Sequence, residues 1–294
     1  MQKSIPQLTS FDELDYPYET KTIEIEENLT IAYMDEGSGA PIIFIHGLGS
    51  YAPAWKKTIA GLSDKHRCIA IDLPGYGKSS KGNYEGSMRY YADIVKKIAD
   101  KLNLEKVTLA GHSMGGQISI LASIAYPDLV DRLLLFSPAG FEQFTAGQKD
   151  WFRDVLTPKG VALTPVNALI TNVGYNFYKF PSDAQFMIDD RIAMRTAVGF
   201  NLYCHQIVKS INGMVDEPVF DYLKNIKAPT LVIFGAQDNL IPNRYLNPGK
   251  TKNIAQLGAS QIPNCQLKMI DKAGHFAHFE KANEVNGIVK EFLK

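Results

Sequence analysis

Three residues of this chain have the types and the order needed to break a bond at a carbonyl carbon: Ser113, Asp238 and His275. A serine hydroxyl is a weak nucleophile until a base takes its proton, and an imidazole acts as that base only when an acid fixes its tautomer. Ser113 lies in Gly111-His112-Ser113-Met114-Gly115-Gly116, directly after the apolar, β-branched run Val107-Thr108-Leu109-Ala110. A helical pattern starts at once, with Ile118, Leu121, Ala122 and Ala125 on one face until Pro127 closes it. Gly-x-Ser-x-Gly between strand and helix predicts a nucleophile elbow, a turn so sharp that only glycines fit beside the serine. The helix beyond it directs free N–H groups and a positive dipole end at the reacting centre.

His275 follows a predicted strand, Gln266–Ile270, and the loop Asp271-Lys272-Ala273-Gly274, and it precedes the last helix. Asp238 follows the strand that ends in Ile233-Phe234-Gly235. All three residues therefore fall at strand C-terminal ends, in the order Ser, Asp, His. Asp271 is the rival acid, but it stands too close in sequence to His275 to reach the ring from another loop. The tetrahedral intermediate needs two preorganised donors. The N–H of Met114 supplies one, and Leu48 in His46-Gly47-Leu48-Gly49 is the choice for the other. Of the remaining histidines, His46 is expected to order its loop, His112 to support the reacting residues, and His278 to sit on a rim or helix surface. Gly75-Tyr76-Gly77-Lys78-Ser79 lacks the first glycine of a phosphate loop, where Asp72 stands. His275-x-x-His278 has no third ligand at a metal-like spacing. No cofactor and no metal are expected.

The elements that must position these residues can be traced in order. Thr22–Met34 reads as a hairpin around Glu26-Glu27-Asn28, and Ile42–Ile45 and Cys68–Ile71 read as strands buried on both faces. Ser87 is an N-cap candidate for a helix with Tyr91, Ile94, Val95, Ile98, Ala99 and Leu102 on one face. Leu133–Phe136, Thr230–Phe234 and Leu267–Ile270 give further strands, and Val285, Ile288, Val289, Phe292 and Leu293 share the face of a closing helix. Strands alternating with helices predict a mostly parallel sheet covered on both sides. Between Phe141 and Val215 that rhythm stops in favour of aromatics such as Trp151, Tyr175, Phe177 and Phe200, with Ser182-Asp183 as a possible cap for a helix through Met187, Ile188 and Ile192. The expected organisation is a core of residues 1–140 and 216–294 with a helical cap, 141–215, inserted over the sheet edge that binds ligands.

The composition, 45% hydrophobic and 21% charged over 294 residues with zero net charge, is that of a globular chain with no appeal to nucleic acid or an anionic membrane. The opening residues Met1–Gln7 lack the apolar stretch of a signal peptide, and no run approaches the ~18 residues of a membrane span. Cys68, Cys204 and Cys265 read as reduced thiols, and the expected location is cytoplasmic.

With these residues in hand the chain resembles the α/β-hydrolase superfamily, through Gly111-His112-Ser113-Met114-Gly115-Gly116, His46-Gly47, Asp72-Leu73-Pro74-Gly75-Tyr76-Gly77-x-Ser79, Phe234-Gly235-x-x-Asp238 and Ala273-Gly274-His275. The resemblance implies an α/β-hydrolase fold with an eight-stranded sheet, its second strand antiparallel, and a cap after strand six. Serine as the nucleophile argues against the dehalogenases and epoxide hydrolases of that superfamily, which attack with aspartate. Two activities then compete. One is hydrolysis of carboxylic esters of small to medium apolar acyl groups, which we take as the first expectation. The other is carbon–carbon bond hydrolysis of meta-cleavage products, in which Arg191 or Arg195 would hold the substrate carboxylate. Those hydrolases typically carry Asn before the serine and Trp after the histidine, where this chain has His112 and Phe276. A third expectation of another class is a ligand-sensing, receptor-like member, because a fold does not fix a function. The substrate, the oligomeric state and the pocket-lining residues of the cap are not specified by the sequence.

Overall fold

Short apolar runs buried on both faces build the centre of the molecule. A computed structural model of the chain describes residues 5–294, so Met1–Ser4, the first residues read for a leader, lie outside it. Its strands are β1 (Thr20–Glu26), β2 (Leu29–Glu36), β3 (Ala40–Ile45), β4 (His66–Ile71), β5 (Val107–His112), β6 (Val130–Phe136), β7 (Thr230–Gly235) and β8 (Cys265–Ile270). They form one eight-stranded sheet in the order β1-β2-β4-β3-β5-β6-β7-β8. As the resemblance implied, β2 runs antiparallel to its neighbours β1 and β4, and all other pairs are parallel. The hairpin β1–β2 turns at Glu27 and Asn28, the latter in the left-handed region at φ 64°.

The helices are α1 (Lys56–Leu62), α2 (Met88–Lys101), α3 (Met114–Ala125), α4 (Ala146–Val155), α5 (Pro158–Ala162), α6 (Val166–Gly174), α7 (Gln185–Ala193), α8 (Phe200–Asp216), α9 (Thr251–Ser260), α10 (Ala277–Glu280) and α11 (Ala282–Phe292). Alternate residues of each central strand feed opposite faces. Ile43, Ile45, Leu109 and Leu133 pack with Tyr91, Ile94, Ile98 and Ile118 of α2 and α3. Ile42, Phe44, Ala110 and Leu134 pack with Ile59, Leu62, Val285 and Val289 of α1 and α11. Each fully buried aliphatic side chain of this kind stabilises the fold by roughly 1.5–3 kcal/mol relative to exposure. Both faces being covered is why these strands read as unbroken apolar runs. Ser87 caps α2 as expected, its Oγ accepting from the N–H of Tyr90 at 3.1 Å.

Helices α4 to α8 stand between β6 and β7. Two details differ from the sequence reading. Ser182 and Asp183 do not cap α7: they belong to a 3₁₀ turn, and Ala184 occupies the N-cap position. The reason is an alternative partner, because the Asp183 carboxylate meets Lys57 Nζ at 2.8 Å while its carbonyl accepts from Lys56 Nζ. Phe141, read as the first residue of the insertion, is instead packed in the core against Phe234 and Gly258, and α8 runs to Asp216. Among the described residues no helix is long and apolar enough to cross a membrane.

Candidate active site

Strand β5 delivers Ser113 to the sheet edge in a backbone conformation that a side chain rarely adopts, φ 54° and ψ −118°. Such a geometry persists only where its surroundings over-determine it. Here the Ser113 N–H donates to the Phe136 carbonyl at 3.0 Å, and its own carbonyl accepts from Gly116 and Ala139, both at 2.9 Å. Close approach explains the glycines. A Cβ on Gly115 would lie 2.1 Å from the Ile45 carbonyl oxygen, and one on Gly111 2.2 Å from that of Gly115. The first turn of α3 can therefore press against the end of β3.

The loops after β7 and β8 bring Asp238 and His275 together. His275 Nδ1 lies 2.7 Å from Asp238 Oδ2, and both residues are buried. The other carboxylate oxygen, Oδ1, accepts from the N–H groups of Leu240 (2.8 Å) and Ile241 (3.1 Å). Four lone-pair directions are thus largely occupied, Nδ1 carries the proton, and Nε2 remains as the basic nitrogen. His275 and Ser113 line the same cavity. The rival Asp271 is exposed and accepts from Gln237 Nε2 at 3.3 Å, away from the imidazole. Leu48 borders the cavity as well, and among the described residues neither its N–H nor that of Met114 has an acceptor.

The remaining histidines divide. His46 is buried and joins two loops: its Nε2 accepts from the Leu73 N–H at 3.1 Å and its Nδ1 lies 2.8 Å from the Gly47 carbonyl. His112 places Nε2 3.1 Å from the backbone carbonyl of His275, so it holds the loop that carries His275. His278 overturns the expectation of a rim position. It is buried beneath Trp55 at a ring separation of 4.4 Å, beside His112 at 4.7 Å, with neither ring nitrogen partnered among the described residues. The four-residue α10 turns this side chain inward, onto the 3₁₀ turn that carries Trp55, rather than outward.

Burial drives the histidine away from its charged form, holding His278 down to about 3, while His112 falls well below the ordinary histidine value and His46 is lowered by the same cause. Below about pH 6.5 these three histidines consequently bind more protons in the unfolded chain than in the folded one, so their contribution to stability rises with pH and is lost on acidification. His278 alone contributes a slope of about 1.4 kcal/mol per pH unit over the window between its two values. Urea unfolding of His278→Leu between about pH 4 and 6 is expected to show a profile flattened by up to that slope. An unchanged slope would place the proton uptake elsewhere.

Two carboxylates that the sequence reading passed over brace these loops. Glu280 accepts from the N–H groups of Gly274 (2.9 Å), Tyr178 (3.1 Å) and Lys179 (2.7 Å), tying the His275 loop to the insertion. Glu142, buried and shifted upward by that burial, accepts from the Asn243 N–H at 2.9 Å and Asn247 Nδ2 at 2.8 Å, just beyond Asp238. Neither stands in a motif, so only their contacts identify them.

The cavity above Ser113 has a volume of about 610 Å³. Its wall includes the apolar Leu156, Val161, Leu169, Phe200, Ile207 and Met214, and three arginines, Arg191, Arg195 and Arg244. Among the described residues no aspartate, glutamate or lysine lines it, and none of the three arginines is within 4.0 Å of a carboxylate. Arg191 Nη2 donates to the Gly49 carbonyl, Arg195 Nη2 to that of Ala162 at 3.2 Å, and Arg244 Nη2 to Asn239 Oδ1 at 3.1 Å. Arg244 was not singled out in the sequence.

Several known proteins are similar to this chain. The chain is 36% identical over 275 residues to the (E)-2-((N-methylformamido)methylene)succinate hydrolase of Acinetobacter baylyi, covering 94% of this chain and 98% of that one. It is 26% identical over 287 residues to the 2-hydroxy-6-oxononadienedioate/2-hydroxy-6-oxononatrienedioate hydrolase of Burkholderia vietnamiensis, covering 92% and 93%. The chain also matches the dihydrolipoyllysine-residue acetyltransferase component of the acetoin cleaving system of Pseudomonas putida, at 28% identity, and spans 64% of that protein's length. Among solved structures, an esterase from Exiguobacterium antarcticum shares the fold with a TM-score of 0.79 at 21% identity, covering 93% of this chain and 99% of that one. The family described as the alpha/beta hydrolase fold matches residues 40–282, and the chain belongs to that family.

Proposed function

We propose that the protein is a serine hydrolase that cleaves a small, carboxylate-bearing substrate at a carbonyl carbon through an acyl-enzyme, with Ser113, His275 and Asp238 as its triad. The observation that carries the choice of substrate is the set of three arginines, without an acidic partner, in the cavity wall. Guanidinium groups bind carboxylates in a bidentate fork, and a charge-assisted bond of this kind contributes about 1.5–3 kcal/mol. The names of two relatives point the same way, since one hydrolyses a succinate and the other a dienedioate. The apolar part of the wall suits a short acyl chain, in keeping with the expectation from sequence.

In this reading His275 Nε2 takes the proton of Ser113 Oγ as the oxygen attacks the carbonyl carbon. The N–H groups of Leu48 and Met114 bind the resulting oxyanion. Collapse expels the leaving group, which takes the proton from His275. Water, deprotonated by the same imidazole, then attacks the acyl-serine, and the acid leaves with Ser113 restored. Esters are the first substrates to test. A carbon–carbon hydrolase is the second reading, favoured by similarity to the dienedioate hydrolase over nearly the whole chain.

Ethyl hydrogen succinate and ethyl 4-methylpentanoate, in which a branched alkyl end replaces the carboxylate at equal heavy-atom count, separate an anionic from a neutral substrate. The monoanion is expected to be preferred in kcat/KM by about 10- to 100-fold, the equivalent of one charge-assisted bond. Arg195→Ala and Arg244→Ala should each reduce that preference, mainly through KM. Equal use of the two esters would remove the anionic substrate. A dienoate meta-cleavage product assayed beside them, if turned over far faster, selects the second reading. Absence of turnover with every substrate, despite stoichiometric binding of one of them, would select the receptor-like alternative.

A further inference from the structure

The loop that carries Leu48 is held on two sides by different parts of the molecule. Its ends are fixed to the core: His46 Nε2 accepts from the Leu73 N–H at 3.1 Å, and the Ala52 N–H donates to the buried Asp72 carboxylate at 2.7 Å. Between them Gly47–Ser50 forms a tight turn closed by the Ser50 N–H on the Gly47 carbonyl at 3.1 Å. Its third residue, Gly49, has φ 63°, a conformation that glycine adopts without cost.

The middle of the loop is gripped by two consecutive residues of α7, which belongs to the insertion. Arg191 donates to the Gly49 carbonyl, and Tyr51 OH donates to the Asp190 carboxylate. The fit is close, since a Cβ on Gly49 would come within 2.7 Å of the guanidinium. A small cavity of about 80 Å³ beside this contact is bordered by Leu48, Gly49, Tyr51, Asp190 and Arg191, room enough for water, so the two side-chain contacts rather than close packing hold the loop here.

We infer that Tyr51, Asp190 and Arg191 are positioning residues that set the oxyanion loop, so that the donor at Leu48 is correctly placed only while α7 is seated on the core. The inference rests on the proposed serine mechanism and adds a role that neither the triad nor the cavity requires. Oxyanion donors act only within about 0.5 Å of their working position, and loss of one lowers kcat by about 10²–10³-fold. A loop freed at its centre is expected to lose part of that effect while the apolar wall of the cavity, built from other residues, and Arg195 and Arg244 stay in place.

The test uses a neutral ester, ethyl butanoate, so that anion binding does not enter. Tyr51→Phe and Asp190→Ala are each expected to lower kcat by about tenfold or more with KM little changed. Because they break the same bond, the double variant should match the more damaged single variant. Asp190→Asn, whose amide oxygen still accepts from the tyrosine, should restore most of the rate. Affinity for a neutral trifluoromethyl ketone, whose adduct with the serine carries the oxyanion, should fall in proportion to kcat. Wild-type kcat in Tyr51→Phe and Asp190→Ala, or a loss confined to KM, would overturn the inference. So would a fall in kcat with ketone affinity unchanged, as general loosening of the fold would give. A wild-type protein that neither turns over the ester nor binds the ketone would instead refute the serine mechanism itself.

Discussion

Ser113→Ala is expected to lower kcat on the order of 10⁶-fold, the size of effect seen when a nucleophile that works as one unit with its base is removed. The fold should survive. Alanine keeps the Cβ, so the strain at φ 54° is the same in both proteins, and only one half-exposed oxygen is lost. Substitutions of this kind usually change stability by less than about 0.5 kcal/mol. The same logic makes the losses non-additive: Ser113→Ala combined with His275→Ala should be no slower than Ser113→Ala alone, because the base has no proton left to take. A serine-directed phosphonate should label Ser113 and no other residue, as read by peptide mass. Labelling at a different serine, or wild-type turnover in the alanine variant, would sink the assignment.

The places of Ser113, Asp238 and His275 were legible because each follows an apolar strand. β5, β7 and β8 are parallel neighbours, or nearly so, in the sheet, and their C-terminal ends converge on one edge. The strand ends and the chain order together therefore pointed to Asp238 as the partner of His275, 37 residues away, and the short spacing to His275 set Asp271 aside. What could not be read was set by contacts between distant segments. His278 looks like a surface residue on a helix start, yet Trp55, far away in the chain, closes over it. Tyr51 and Asp190 are separated by 139 residues and belong to no pattern until the loop and α7 meet. The insertion was the least legible part for a related reason. Its helices α4 and α5 bury no residue completely, so their apolar positions do not mark a core-facing side as those of α2 do. Ser182-Asp183 had the chemistry of a cap, but a lysine on the core took the carboxylate.

Asp238→Asn should lower kcat by up to ~10⁴-fold, and the hydrogen bonds around the carboxylate explain why so small a change is so damaging. Oδ1 accepts two backbone N–H groups, from Leu240 and Ile241. An amide NH₂ placed there would face two donors, so asparagine is forced to put its oxygen at that position and its NH₂ toward His275 Nδ1. The ring must then accept at Nδ1 and carry its proton on Nε2, which leaves no base for the Ser113 hydroxyl. KM should change little, since Asp238 does not line the cavity. Asp271→Asn provides the comparison: its carboxylate is exposed and, among the described residues, accepts from Gln237 alone, so the wild-type rate is expected. The two variants have equal charge and equal volume change, and only one touches the imidazole. A large loss in Asp271→Asn with none in Asp238→Asn would move the acid to the other loop. Slow turnover in both would mean that the charge of the region, rather than the tautomer of His275, sustains the reaction.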